Sequence, residues 1–173
     1  SFSEIERKYD NNPKDKKITT ITEGHKWVSM GSSISHDGKF VAFTYVNGTS
    51  YTELYYSKLK PFKPVKLTSF SEQVKNWNLT TKEEISWKST DGAEITGVLI
   101  KPADFDPKKK YPLFVIIHGG PAWISYPQLV DGYNRYYPIL NWAAKGAVFL
   151  EPNYRGSTGF GEAFRKLNYR NLG

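Results

Sequence analysis

The 173-residue sequence contains no cysteine, one methionine and three histidines. Without cysteine there is no disulfide framework and no thiolate to act as nucleophile or metal ligand. His25, His36 and His118 stand far apart and carry no metal-ligand spacing, so no metal site is expected. Long apolar runs are also missing. The longest, residues 113–117, is five residues, against the roughly 20 that a membrane-spanning helix needs, and no membrane partner is expected. Arginine is scarce: 5 of the 24 basic residues, the other 19 being lysine, for a net charge of +7. Nucleic-acid sites favour arginine for bidentate contacts. Here the lysines are scattered, and the densest group, Lys108-Lys109-Lys110, sits between prolines, so it reads as a solvated face and no nucleic acid is expected. The first residues, Ser1-Phe2-Ser3-Glu4, carry neither an initiator methionine nor a charged-then-apolar leader, and read as an internal or processed segment. No compartment is dictated, a cytoplasmic one being favoured.

What the chain has in quantity is aromatic surface: 12 tyrosines, 10 phenylalanines and 5 tryptophans, ample for a core. Residues 1–79 read as short strands separated by turns. Ser35-His36-Asp37-Gly38-Lys39 is an Asp-Gly turn leading into Phe40-Val41-Ala42-Phe43-Thr44-Tyr45-Val46. Asn47-Gly48-Thr49 turns the chain again, Glu53-Leu54-Tyr55-Tyr56 returns, and residues 63–68 close the set. The spacing predicts an all-β meander, with a blade of a propeller or a fragment of a sandwich as its two readings.

The pattern changes from Lys82. Residues 83–88 alternate, Asp91-Gly92 turns, and residues 94–100 return as a second strand. A polar loop, residues 102–112, leads to the run 113–117, of the type buried on both faces of a sheet. Residues 136–145 have helical character, with Ile139, Leu140, Trp142 and Ala143 on one side and Gly146 as the cap. Residues 147–150 form another buried strand. Residues 161–170 predict a short helix with Phe164, Leu167 and Tyr169 inward. Hairpin, strand, helix, strand, helix is the opening of an α/β sheet.

Each buried-type strand ends in a glycine-rich loop: His118-Gly119-Gly120-Pro121 after the first, and Asn153-Tyr154-Arg155-Gly156-Ser157-Thr158-Gly159-Phe160-Gly161 after the second. Alone, the first is equally a tight turn at a strand end. In this order, the blade-like strands, the Asp-Gly hairpin and the two loops resemble the prolyl oligopeptidase family of serine peptidases (family S9), in its acylaminoacyl-peptidase and dipeptidyl-peptidase-like branch. The resemblance is strong over residues 83–173 and looser over 1–79.

It implies the N-terminal part of an α/β-hydrolase domain, residues 80–173, preceded by the terminal part of a β-propeller, residues 1–79. It also implies acyl-enzyme hydrolysis of short peptides without a cofactor. Gly119 and Gly120 would then supply backbone donors to an oxyanion hole, Gly120 foremost, because glycines let the backbone approach a carbonyl. His118 would donate through its ring or hold the loop. Asn153, Tyr154, Arg155 and Gly156 would form a loop on the substrate side, with Arg155 paired to an acidic group or a carbonyl and Glu151 anchoring the loop. No Gly-x-Ser-x-Gly occurs: Arg155 stands two places before Ser157, and no histidine follows His118. The catalytic Ser, Asp and His are therefore expected beyond Gly173, and these 173 residues alone are expected to be inactive. The strand at 113–117 should lie at an open edge, to be covered by the remainder of the polypeptide or another chain. An esterase of the same fold and a non-catalytic binding module are the competing readings.

Overall fold

The computed structural model describes residues 7–9, 18–20, 31–120, 122–130 and 136–170. The chain divides into two compact units, residues 1–75 and 76–173.

In the first unit, β1 (Arg7–Tyr9) and β2 (Ile18–Thr20) pair antiparallel. A separate four-stranded sheet runs in chain order: β3 (Ser32–Ile34), β4 (Phe40–Asn47), β5 (Ser50–Lys58) and β6 (Val65–Lys66), each antiparallel to the next. The alternation along β4 decides which face is covered. Val41 and Phe43 point inward with Leu59, and Phe43 stacks between Tyr55 and Phe62 at 5.7 and 5.8 Å. The turn before β4 is tied by the Asp37 carboxylate, which accepts from the Lys39 N–H at 3.1 Å, and by the Gly38 N–H donating to the Ser35 carbonyl at 2.8 Å.

Among the described residues of this unit, Glu53 is the buried charge. Glu53 of β5 is 1% exposed and accepts from the Thr68 hydroxyl (2.5 Å), the Phe70 N–H (3.0 Å) and both the N–H and hydroxyl of Ser71 (2.9 and 2.8 Å). Lys66 lies 3.3 Å away. Burial works to raise the pKa of this carboxyl, but the converging donors from Thr68, Ser71 and Phe70 outweigh it and hold the value at about 2.

The second unit is an open four-stranded sheet ordered β7-β8-β10-β9. The strands β7 (Thr81–Lys88) and β8 (Glu94–Lys101) form a hairpin; β10 (Val148–Asn153) lies antiparallel to β8 and parallel to β9 (Leu113–Val115). The helix α1 (Ile139–Ala144) lies on the crossover between the two parallel strands. It ends in a double cap: the Gly146 N–H donates to Ala143 O at 2.9 Å and the Ala147 N–H to Trp142 O at 3.0 Å. Ile139 and Ala143 pack on Val98, Ile100, Ala147 and Phe149 to make the core. Gly97 is required where β8 meets β10: a Cβ there would stand 2.9 Å from the Glu151 carbonyl oxygen, 3.1 Å from Pro152 Cα and 3.2 Å from the Trp87 ring.

Four expectations need correction. Residues 113–117 are not buried on both faces: Leu113, Phe114, Val115 and Ile117 are 57, 40, 53 and 68% exposed. The physical reason is position, since among the described residues β9 pairs with β10 alone and is the edge of the sheet; Phe114 leans on Trp142 and Phe149, at 4.9 and 5.3 Å, and Ile116 packs partly buried against the core. On α1, Trp142 stacks on Phe114 and Phe149 yet stays 39% exposed, and Leu140 is half-buried, because a six-residue helix turns only Ile139 and Ala143 fully onto the sheet. The last segment is a single turn, α2 (Glu162–Arg165), followed by a tighter turn at residues 166–168, and leaves Leu167 and Tyr169 outside. Lastly, β10 runs on to Asn153, past the expected strand end at residue 150, and Glu151 is a buried strand residue.

Candidate functional site

Because β9 and β10 are parallel, the loops that follow them leave the sheet at the same end, where open α/β sheets bind ligands. The strand ladder continues one step past β9, with the Ile116 N–H donating to Leu150 O at 2.9 Å. Beyond it the two loops are joined by side chains.

Asn153, the last residue of β10, is buried and pairs its amide with the backbone of Ser125: Oδ1 accepts from the Ser125 N–H at 2.7 Å, and Nδ2 donates to the Ser125 carbonyl at 2.9 Å. Nδ2 also reaches Thr96 Oγ1 at 3.3 Å. The Tyr154 hydroxyl donates to the His118 carbonyl at 2.5 Å, and its ring stacks on the His118 imidazole with centroids 4.5 Å apart. His118 Nε2 lies 3.0 Å from Ser157 Oγ, and Nδ1 lies 3.2 Å from the Gly119 carbonyl oxygen. The Thr158 N–H donates to Trp123 O at 3.2 Å. Arg155 reaches a different element, its guanidinium pairing with the Asp91 carboxylate at the tip of the β7–β8 hairpin. Gly156 is buried: its N–H donates to Phe164 O at 3.0 Å, and the Asn168 side chain occupies the space a Cβ would need.

Electrostatically the site is neutral at its centre. Burial lowers the pKa of His118, with the Gly119 carbonyl contact opposing it weakly, and burial raises that of Tyr154. Both rings are uncharged near neutral pH. Asp91 is held below the ordinary carboxylate range chiefly by the Ala93 N–H, which outweighs the opposing effect of burial, with Arg155 adding to the lowering.

Two groups are left over. Gly119 and Gly120 are exposed, and among the described residues their N–H groups donate to nothing. Gly120 has φ +114°, a backbone conformation that side-chain-bearing residues avoid, and a Cβ would press on Trp123. Adjacent unpaired amides of this kind can receive an anionic oxygen. Pro121, the last residue of the motif, and His25 lie outside the described residues.

The structure therefore brings His118, Tyr154 and Ser157 into one knot and places Asn153 and Gly156 inside it, while Arg155 serves the hairpin. Ser157 is fully buried with its hydroxyl engaged, so it cannot meet a substrate despite its neighbouring histidine. Sequence reasoning missed Ser125, Asp91 and the Ser157–His118 contact. Of these only Asp91 left a signal, as the acidic residue of a turn that Arg155 needed as partner. Among the described residues no group of three or more His, Asp or Glu side chains is arranged to hold a metal, and no helix is long and apolar enough to cross a membrane.

No protein-family model matches the chain. Dipeptidyl-peptidase 5 of Trichophyton schoenleinii is 30% identical over 160 residues, covering 84% of this chain and 21% of the relative. Among solved structures, the acylaminoacyl peptidase of Pyrococcus horikoshii superposes with a TM-score of 0.65 at 26% identity, covering 87% of this chain and 22% of that one. The chain belongs to the prolyl oligopeptidase family. Dipeptidyl peptidase 4 of Porphyromonas gingivalis shares the fold, with a TM-score of 0.70 at 23% identity over 89% of this chain and 22% of that one. Against these members of the prolyl oligopeptidase family, the chain spans about a fifth of the length of its relatives.

Proposed function

We propose that this chain is the part of a serine peptidase that carries the oxyanion-binding loop. In this reading the meander of the first unit is a terminal propeller blade, within residues 1–79, and residues 80–173 open an α/β-hydrolase domain. A serine elsewhere in the polypeptide attacks the carbonyl carbon of a short peptide. The Gly119 and Gly120 amides, Gly120 foremost, receive the oxygen as it gains charge; the amine departs and water releases the acyl group. His118 is too deeply buried to touch substrate and serves by holding the loop. Asn153, Tyr154, Arg155 and Gly156 form its support. The open edge of β9 is covered by a strand from the remainder of the polypeptide.

The observation that carries this reading is selective: side chains around the loop are tied to one another and to the backbone, while among the described residues the two exposed glycine N–H groups donate to nothing. The experiment compares residues 1–173 with the product of the complete coding sequence. The longer product should react with a fluorophosphonate probe and hydrolyse aminoacyl or dipeptidyl anilides; the 173 residues alone should do neither. Gly120→Ala in the longer product should keep labelling but lose about 10²-fold or more in turnover, the scale of one oxyanion donor. Full turnover in that variant, or no hydrolysis by the complete product, sinks the reading.

A further inference from the structure

A single apolar side chain in water is ordinary on a protein surface. Trp123, 52% exposed, is set apart by its place. It follows the glycine pair closely, and a Cβ at Gly120 would stand 3.3 Å from Trp123 Cβ and 3.4 Å from its N. The indole therefore branches off beside the Gly120 N–H.

Its backbone is held on both sides. The Trp123 carbonyl accepts from the Thr158 N–H at 3.2 Å, and just after it Asn153 pins both backbone groups of Ser125. Ser125 and Tyr126 are buried, so the segment is anchored while the ring of Trp123 meets solvent. Trp142 and Trp87, by contrast, are spent on the fold. The first leans on Phe114 and Phe149 at 4.9 and 6.4 Å, and the second closes over Gly97.

An indole offers a large flat apolar surface, which binds another apolar or aromatic side chain by area and ring geometry. Its face also attracts cations, but the surroundings oppose that use. The chain carries a net charge of +7, and the carboxylate that reaches these loops, Asp91, is already matched by Arg155. A peptide whose scissile carbonyl oxygen meets the Gly120 N–H brings the side chains of its two flanking residues close to the same spot.

We infer that Trp123 is a specificity-determining residue: its indole receives the large apolar or aromatic side chain of a substrate residue that flanks the scissile bond. The inference rests on the peptidase reading for the place of the carbonyl, and adds the class of peptide that reading leaves open.

The test uses the complete polypeptide and two series of internally quenched peptides. In one, the residue on the acyl side of the bond is Gly, Leu, Phe or Lys; in the other, the residue on the leaving side is varied in the same way. Trp123→Ala keeps the Cβ beside Gly120 and the carbonyl bonded to Thr158, and deletes the ring. In one series the ratio of kcat/KM for Phe or Leu over Gly should fall about tenfold, the lower end of what an apolar contact contributes to discrimination. Such a ratio does not depend on how much of the variant folds. Trp123→Phe retains an aromatic face and should hold most of the ratio. The series that responds assigns the contact to the acyl or to the leaving side. Equal losses for all four residues in both series mean that the ring serves the fold under the rest of the polypeptide, and overturn the inference. Unchanged ratios overturn it too, as does a preference for Lys that disappears with the ring. Absence of hydrolysis by the unaltered polypeptide removes the peptidase reading and this inference with it, whereas hydrolysis with unchanged ratios removes the inference alone.

Discussion

Replacing Asn153 by alanine removes the side chain that substitutes for a strand partner at Ser125. Two buried backbone groups lose their partners at once, the Ser125 N–H at 2.7 Å and its carbonyl at 2.9 Å. An orphaned buried donor or acceptor costs about 1–3 kcal/mol, so the pair sums to about 2–6 kcal/mol. The third contact, at 3.3 Å to Thr96, adds little, because that hydroxyl is free to rotate. Urea unfolding of Asn153→Ala at pH 7 should show a loss in this range with an unchanged slope. Asn153→Asp is the sharper variant. Its Oδ1 still accepts from the Ser125 N–H, but the other oxygen now faces the Ser125 carbonyl where Nδ2 had donated. Only a protonated carboxyl restores that bond, and burial raises the pKa of such an acid. The folded state then binds the proton more tightly than the unfolded state, so the stability of Asn153→Asp should rise as pH falls from 8 toward 5. A loss under about 0.5 kcal/mol in the alanine variant, within the range of an ordinary surface change, would refute the reasoning. So would a flat pH response in the aspartate variant.

Glu53 provides a second pH dependence of opposite sign. Its folded pKa is depressed from 4.5 to about 2, so its contribution is complete above pH 4.5 and is lost as pH falls toward 2. The shift corresponds to on the order of 3 kcal/mol, and urea unfolding should show Glu53→Gln less stable than the parent by that order at pH 7, with the gap closing near pH 2. Gly97→Ala should cost about 1–3 kcal/mol, measured the same way, because two of the three atoms its Cβ would meet are backbone of β10 and can yield only by parting the strands.

Elements bounded by turn chemistry were legible in the sequence. Asp37-Gly38 and Asp91-Gly92 turn where they were expected, and Gly146 closes α1, because each position asks for a local backbone conformation that few residues supply. The end of β10 was not legible, since Glu151 and Pro152 do not look like strand residues. Pro152 is tolerated because β9 ends level with Leu150, so the missing N–H forfeits no ladder bond on that side. The run 113–117 shows the limit of hydropathy: it records which residues are suited to being covered, while the covering is supplied by neighbours that the run itself does not name. The glycine pair was legible as a loop at the end of a strand. The contacts that hold it were not, because His118 and Ser157 stand 39 residues apart, and Asp91 and Arg155 stand 64 apart.

These distant contacts answer a mechanical difficulty. The Gly119–Gly120 loop follows a strand of three residues, paired on one side only, and such an edge is a poor platform for groups that must keep their aim. The second anchorage comes from β10 and the loop behind it, elements held on the other side by β8. Asn153 fixes the backbone after the glycines, Tyr154 fixes the carbonyl before them, and the imidazole between lies 3.2 Å from the carbonyl of Gly119. Each tie consumes a polar group that would otherwise compete for the glycine amides. Rigidity and availability thus have one cause: the side chains that immobilise the loop are also those that leave its two N–H groups unclaimed among the described residues.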